Sequence, residues 1–188
     1  MHENKNDIKN GHKVLVAYDS EAGSTGEIAD FIGNVLSENG NIVEIKHVRE
    51  TVDLTSYDRI VIGSPIRYDK WMSDASKFVK NNQEILSKIP VAFFFTCAVL
   101  AQKNEKTARQ VKGYSDKVYD IAPLVKPVSM GEIAGVLDYS KLSFFLTMIL
   151  KLYLFIIRIK DRDGEIGKEG DYRDWDAIRS WVESIDFG

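Results

Sequence analysis

The sequence has one cysteine, Cys97, in 188 residues. A single thiol excludes an internal disulfide and leaves no thiolate set for zinc or an iron–sulfur cluster. Histidine is almost as scarce: His2, His12 and His47 are scattered, two of them near the N-terminus, and no metal site is expected. A basic excess is missing as well, with 25 Lys and Arg against 28 Asp and Glu and a formal net charge of −3. Nucleic-acid binders carry a basic face, and nothing here calls for one, so no nucleic acid is expected as a partner. The first residues, polar and rich in Asn and Lys, lack the apolar core of a signal peptide. They read as a short disordered tail over 1–12, on a chain expected in the cytoplasm. There is no internal repeat and no low-complexity linker. What remains is 44% hydrophobic and 28% charged, enough for one domain over 13–188 with a full core.

Along the chain, short apolar runs alternate with amphipathic ones. Lys13 to Tyr18 reads as a first strand. Ile28, Ala29, Ile32, Val35 and Leu36 recur at helix spacing up to Gly40, a C-cap residue. Asn41 to Lys46 is a second strand and Tyr57 to Gly63 a third, with Ser64-Pro65 expected to stop it. The stretch from Ser73 to Ser87 suits one amphipathic helix. Pro90 to Cys97 is apolar without alternation, the pattern of a strand covered on both faces. A polar helix over 104–121, a fifth strand from Val125 to Ile133 and a last helix from Trp175 to Ile185 follow. Alternating strands and helices require right-handed crossovers and a parallel sheet between two helical layers. Five strands in this length suggest the order 2-1-3-4-5, with a ligand beyond the carboxyl ends of the strands at the switch point. The loops after strands one, three and four are therefore the ones to read.

The first of these, Asp19 to Thr25, runs straight into a helix. Its small and hydroxyl residues Ser20, Ala22, Gly23, Ser24 and Thr25 let backbone N–H groups turn around a phosphate, and the helix N-terminus adds its positive end. It lacks the Gly-Lys-Ser/Thr ending of a P-loop and the G-x-G-x-x-G of dinucleotide sites. An ordinary hydroxyl helix cap reads the same in isolation; the position after strand one favours phosphate. Asp19 and Glu21 are expected to turn their carboxylates away and contribute only N–H groups. In the loop after strand three, Gly63 to Trp71, Gly63 and Pro65 fix the backbone while Ile66, Arg67, Tyr68 and Trp71 offer flat or apolar surface, with edge packing a reasonable structural reading for Trp71. The loop after strand four, with Thr96, Cys97, Ala98 and Val99, is uncharged and slender. Cys97, without a basic neighbour in sequence, reads as a small buried hydrophobe rather than a redox thiol.

Ser20-x-x-Gly23-x-Thr25 resembles the FMN phosphate loop of flavodoxins, and the two later loops resemble their ring-flanking loops. Tyr57-Asp-Arg-Ile-Val-Ile-Gly-Ser-Pro-Ile-Arg-Tyr68, Ile133-Ala-Gly-Val-Leu-Asp-Tyr139 and Asp171-Tyr-Arg-Asp-Trp175 are similar to the flavodoxin-like, quinone-dependent protoporphyrinogen oxidases. The likeness runs in order from Lys13 onward. It implies a flavodoxin-like three-layer α/β sandwich and FMN as cofactor, with Ser20 to Thr25, Ser64 to Tyr68 and Thr96 to Val99 around it. It also implies a reduced small-molecule donor, a porphyrinogen of haem biosynthesis, and a quinone acceptor. A departure is Ala22, where flavodoxins often carry a hydroxyl; that phosphate bond is lost or passes to the backbone. No residue is assigned as a catalytic acid or base. The alternative is a flavodoxin-type electron carrier that docks on partner proteins and has no substrate of its own.

An insertion over about 138–170 contains an apolar run, Leu142 to Ile159, that a minimal flavodoxin does not need. Its polar positions Ser143, Thr147, Lys151 and Arg158 form one narrow stripe on a helix, and Lys141, Lys160 and Arg162 make the ends basic. As a membrane span it would bury Lys151 mid-bilayer at about 2.5–3.5 kcal/mol. Three readings compete: a helix lying in a membrane interface, a homo-oligomer interface or lid over the cofactor, and a buried core helix. The sheet already has its covering helices, so the first two are favoured, and the first places the chain on the inner face of the cell membrane.

Overall fold

The computed structural model describes residues 11–21, 23–50, 53–101, 105–137 and 169–188. The strands are β1 (Lys13–Tyr18), β2 (Ile42–His47), β3 (Arg59–Arg67), β4 (Lys70–Trp71), β5 (Val91–Cys97), β6 (Ser129–Ala134), β7 (Val136–Leu137) and β8 (Gly170–Asp171). Five of them lie parallel in the order β2-β1-β3-β5-β6, and β4 adds a short antiparallel edge to β3. With β4 set aside this is the expected 2-1-3-4-5 order. Helices α1 (Ser24–Glu38) and α5 (Trp175–Glu183) cover one face. Helices α2 (Ser73–Asn81), α3 (Gln83–Leu86) and α4 (Glu105–Tyr119) cover the other.

The two cores follow from side-chain alternation along each strand. Val14, Val16, Val61, Ala92 and Phe94 pack toward Ile28, Ile32, Val35, Ile178 and Val182. Leu15, Ile60, Ile62, Phe93 and Phe95 point the other way, toward Ala75, Val79, Val111 and Val118. Every residue of β5 is buried, because it lies between β3 and β6 with helices above and below. Beside it, a Cβ on Gly63 would lie 2.0 Å from the Phe94 ring, so only glycine lets that ring lie across β3. α1 ends at Glu38 with Asn39 as its C-cap, and Gly40 takes a positive φ of 84°, the usual left-handed exit from a helix.

Three boundaries differ from expectation. β3 does not stop at Ser64-Pro65 but continues to Arg67, with Ser64 opposite Phe95 and Pro65 opposite Thr96. The Gly63 carbonyl faces β1, accepting from Asp19 N–H at 2.9 Å. Pro65, two residues on, turns its missing N–H to the same side, where β1 has already ended, so no ladder bond is lost. The helix expected over 73–87 is broken into α2 and α3 at Asn82, whose backbone N–H and side-chain Nδ2 both donate to the Phe78 carbonyl, at 3.2 and 2.7 Å. β6 begins at Ser129 rather than Val125, because Val125 closes a turn on Ala122 and packs into the core beneath α4.

One pairing was not anticipated. β7 and β8 form an antiparallel ladder, Val136 opposite Asp171 and Leu137 opposite Gly170. It clamps together the two ends of residues 138–168, which contain the apolar run 142–159 and nearly all of the expected insertion and lie outside the described residues. So do Ala22 and residues 1–10 of the expected tail. Among the described residues, no helix is long and apolar enough to cross a membrane.

Candidate functional site

The loops after β1, β3 and β5 meet at the carboxyl end of the sheet, joined by three direct contacts. Asp19 N–H donates to the Gly63 carbonyl, tying the end of β1 to β3. The hydroxyls of Thr25 and Thr96, both buried, share a hydrogen bond of 3.0 Å between the first turn of α1 and the end of β5. Arg67, at the end of β3, forms an ion pair with Glu21 in the first loop. Residues 71 positions apart in sequence are thus fixed within one site.

The first loop has the shape of an anion cradle. Gly23 holds φ +90° with nothing within 4 Å of where a Cβ would stand, so its side faces open space. Among the described residues no side chain caps α1, which leaves the first-turn N–H groups for an external acceptor. Ser20 Oγ instead accepts from Gly23 N–H at 3.1 Å and shapes the loop from within. The acidic residues have other partners. Asp19 is fully buried: one carboxylate oxygen accepts from Ala75 N–H in the first turn of α2 at 3.1 Å. The other has no well-aligned hydrogen bond but lies 3.4 Å from His47 Nε2. Asp19 therefore braces the start of α2, whose own N-cap, Met72, has no side chain able to do so.

On the ring side, Ser64 is buried and turned inward, donating to the Pro65 carbonyl and accepting from Met72 N–H at 3.1 Å, so its hydroxyl secures the chain beyond the hairpin. Trp71 packs edge-on against Phe93 in the core, as edge packing implies. Tyr68 is 84% exposed at the hairpin tip. Ile66 and Pro65 are half-buried. After β5, Cys97 is buried, and burial pushes its thiol above the ordinary value, which disfavours the thiolate. Ala98 and Val99 open a short 3-10 turn (Ala98–Ala101) with half-exposed residues.

Several contributors have no local signal in sequence. Tyr68 and Asp69 both take positive φ, 49° and 62°, in a two-residue hairpin turn of the type I′ pattern, where Asn and Gly are the usual occupants. The segment Asp171 to Trp175 also acquires a physical role. Arg173 Nε donates to Asp171 at 2.8 Å, its Nη1 reaches Glu27 of α1 at 2.6 Å, and its guanidinium lies 4.6 Å from the Trp175 ring. That bridge ties the chain returning from residue 168 to the turn of α1 that follows the cradle. A separate groove of about 1140 Å³ runs beside β6 between α4 and α5. Among its described lining residues, Leu100 alone belongs to the three loops, so the groove is not the cradle. No cluster of three metal-ligating side chains exists among the described residues.

Comparison with known proteins agrees with this geometry. A family model described as a flavodoxin domain matches residues 15–163. Protoporphyrinogen IX dehydrogenase [quinone] of Escherichia coli (strain K12) is 29% identical over 175 residues, covering 92% of this chain and 94% of that protein. The protein of the same name from Leishmania major is 29% identical over 177 residues, covering 92% and 74%. Among solved structures, a short-chain flavodoxin associated with a PDU bacterial microcompartment superposes with a TM-score of 0.56 at 10% identity, over 93% of this chain and 96% of that one. Two-electron reduced Megasphaera elsdenii flavodoxin does so with a TM-score of 0.50 at 20% identity, over 63% and 84%. These structural likenesses bear on the fold alone. With the family model spanning most of its length, and the strand order and first-loop cradle in place, the chain belongs to the flavodoxin domain family.

Proposed function

We propose that the chain is an FMN-dependent oxidoreductase of the protoporphyrinogen IX dehydrogenase type, passing electrons from a reduced porphyrinogen-like substrate to a quinone. The observation that carries this reading is the extent of the likeness to the Escherichia coli relative, nearly the whole of both chains. An aligned stretch of 175 residues in a chain of 188 necessarily includes 142–159, which a plain electron carrier does not need.

The residues present fit FMN. Gly23 leaves the space and the uncapped first turn of α1 the donors for a phosphate, with Ser20, Glu21, Ala22, Ser24 and Thr25 completing the loop. Ser64 to Tyr68 and Thr96 to Val99 flank the place of the ring. Bound there, FMN supplies the two-electron chemistry. The chain supplies position and charge. The Thr25–Thr96 bond keeps the phosphate side and the ring side in fixed relation. Arg67, half-exposed and held by Glu21, is placed to meet a substrate carboxylate or negative charge on the ring. Riboflavin, lacking the phosphate, should bind much more weakly than FMN. FAD should gain nothing from its adenylate, because no G-x-G-x-x-G set is present for a second nucleotide.

The competing reading is a carrier that docks on partner proteins. Carriers of that kind dock through strong charge complementarity, and a net charge of −3 does not favour it. Anaerobic steady-state turnover of protoporphyrinogen with a menaquinone analogue separates the two. Turnover dependent on both reactants supports the enzyme. Reduction by a flavodoxin reductase with no porphyrinogen turnover supports the carrier. The apolar run 142–159 supports peripheral contact with the membrane that dissolves the quinone, with the chain on its cytoplasmic side.

A further inference from the structure

The two-residue turn that carries Tyr68 is strained and held from outside. Asp69 is of a type that tolerates positive φ, but Tyr68 is not, and for its bulky side chain such a conformation is a genuine outlier. Conformations of this kind persist where surrounding contacts over-determine them. Here those contacts come from α4, about 45 residues further along the chain. Tyr114 Oη donates to Asp69 Oδ1 at 3.0 Å and is itself oriented by a donor from Gln110. Lys117 Nζ donates to the Asp69 carbonyl at 3.0 Å. The Tyr114 ring is buried edge-on against Phe95 of β5, so the hydroxyl cannot drift. Burial first, and the Asp69 carboxylate second, push this phenol up to about 12, so it remains a donor at any working pH. The Tyr68 ring beside this anchor is left almost wholly in solvent.

We propose that Tyr114 and Lys117 are positioning residues for the ring side of the site: they hold the left-handed Tyr68–Asp69 turn and so set where the Tyr68 ring stands. The inference rests on the reading that the β3–β4 hairpin flanks a flavin ring. Tyr114 and Lys117 touch neither cofactor nor substrate; they act through Asp69.

The test uses the full chain, with riboflavin and FMN as probes, reading both dissociation constants and the fluorescence of the bound flavin, which a stacked tyrosine quenches. Tyr114→Phe keeps the buried ring and removes only the hydroxyl. It should weaken riboflavin and FMN by the same factor, about two- to tenfold for one lost hydrogen bond, and raise bound-flavin fluorescence. The ratio of the two affinities, which reports the phosphate cradle, should stay unchanged. Asp69→Gly supplies a residue that takes positive φ without strain. In that background Tyr114→Phe should have little further effect. A Tyr114→Phe protein that melts earlier but binds and quenches as the parent does would overturn the proposal, leaving Tyr114 a packing residue. An undiminished Tyr114→Phe effect in the Asp69→Gly background would overturn it as well. Failure of the underlying reading gives a different pattern: Tyr68→Leu would then leave riboflavin affinity and fluorescence untouched.

Discussion

At Gly23 the backbone stands at φ +90°, and the space beside its Cα is open. A Cβ there meets no atom of the described residues beyond its chain neighbours, so its cost has two separate parts. One is backbone strain of about 1–3 kcal/mol; the other is occupation of the space a phosphate would fill. Gly23→Val should therefore weaken FMN at least tenfold while changing riboflavin affinity far less. A fluorescence titration in which the variant holds FMN as tightly as the parent would remove the phosphate assignment. Two tyrosines make a second prediction at this scale. Burial first and a neighbouring carboxylate second, Glu44 for Tyr57 and Asp69 for Tyr114, push both phenols up to about 12. The folded chain then keeps protons that the unfolded chain gives up near pH 10, so the stability from these groups is complete below pH 10 and lost as pH rises toward 12. In an alkaline titration followed by tyrosinate absorbance, Tyr57 and Tyr114 should ionise late, together with Tyr119, whose phenol burial also raises, and Tyr57→Phe with Tyr114→Phe should shrink that late component. Eight equivalent tyrosines titrating near pH 10 in folded protein would contradict the burial and hydrogen bonding described.

Among the elements, β5 is buried along its whole length and, like β1 and β3, sends side chains alternately into both cores. Phe94 lies over Gly63 with its ring centroid 6.2 Å from that of Trp181, and Phe94→Ala should cost about 3–5 kcal/mol in urea unfolding. A loss below about 1 kcal/mol would mean the ring is not packed as described. β5 was also among the most legible elements, because unbroken apolar residues between polar segments have few other readings. The Ser64-Pro65 pair was misread for a physical reason. Whether proline ends a strand depends on which neighbour its missing N–H would face, and that is a property of the sheet. The break at Asn82 turns on two bonds to one carbonyl, which apolar spacing does not encode. The three loops were legible because strand order places them, whereas Tyr114, Lys117 and Arg173 act through contacts far apart in sequence. The apolar run 142–159 lies outside the described residues, and its proposed contact with lipid is open to mutation. Phe145→Gln, Ile149→Gln and Leu152→Gln together should reduce flotation with anionic liposomes and leave the flavin spectrum intact. Unchanged flotation would show that this arc does not meet lipid.

For the molecule as a whole, the cradle, the hairpin and the end of β5 form one edge of the sheet, joined by direct contacts. The β7–β8 ladder and the Arg173 bridge fix the described residues on either side of 138–168. Under the proposed function, a reduced small molecule is received at this edge and a quinone takes the electrons. A carrier needs only the first half of such a design, a cofactor at an exposed edge. The most direct measurement is an anaerobic rapid-mixing experiment on the FMN-loaded chain, with protoporphyrinogen added first and a menaquinone analogue second. The expected result is loss of the yellow flavin absorbance on the first mixing, with porphyrin absorbance rising only as successive two-electron steps complete the oxidation, and return of the yellow absorbance on the second. Flavin absorbance unmoved by protoporphyrinogen, in protein that a flavodoxin reductase does bleach, would contradict it.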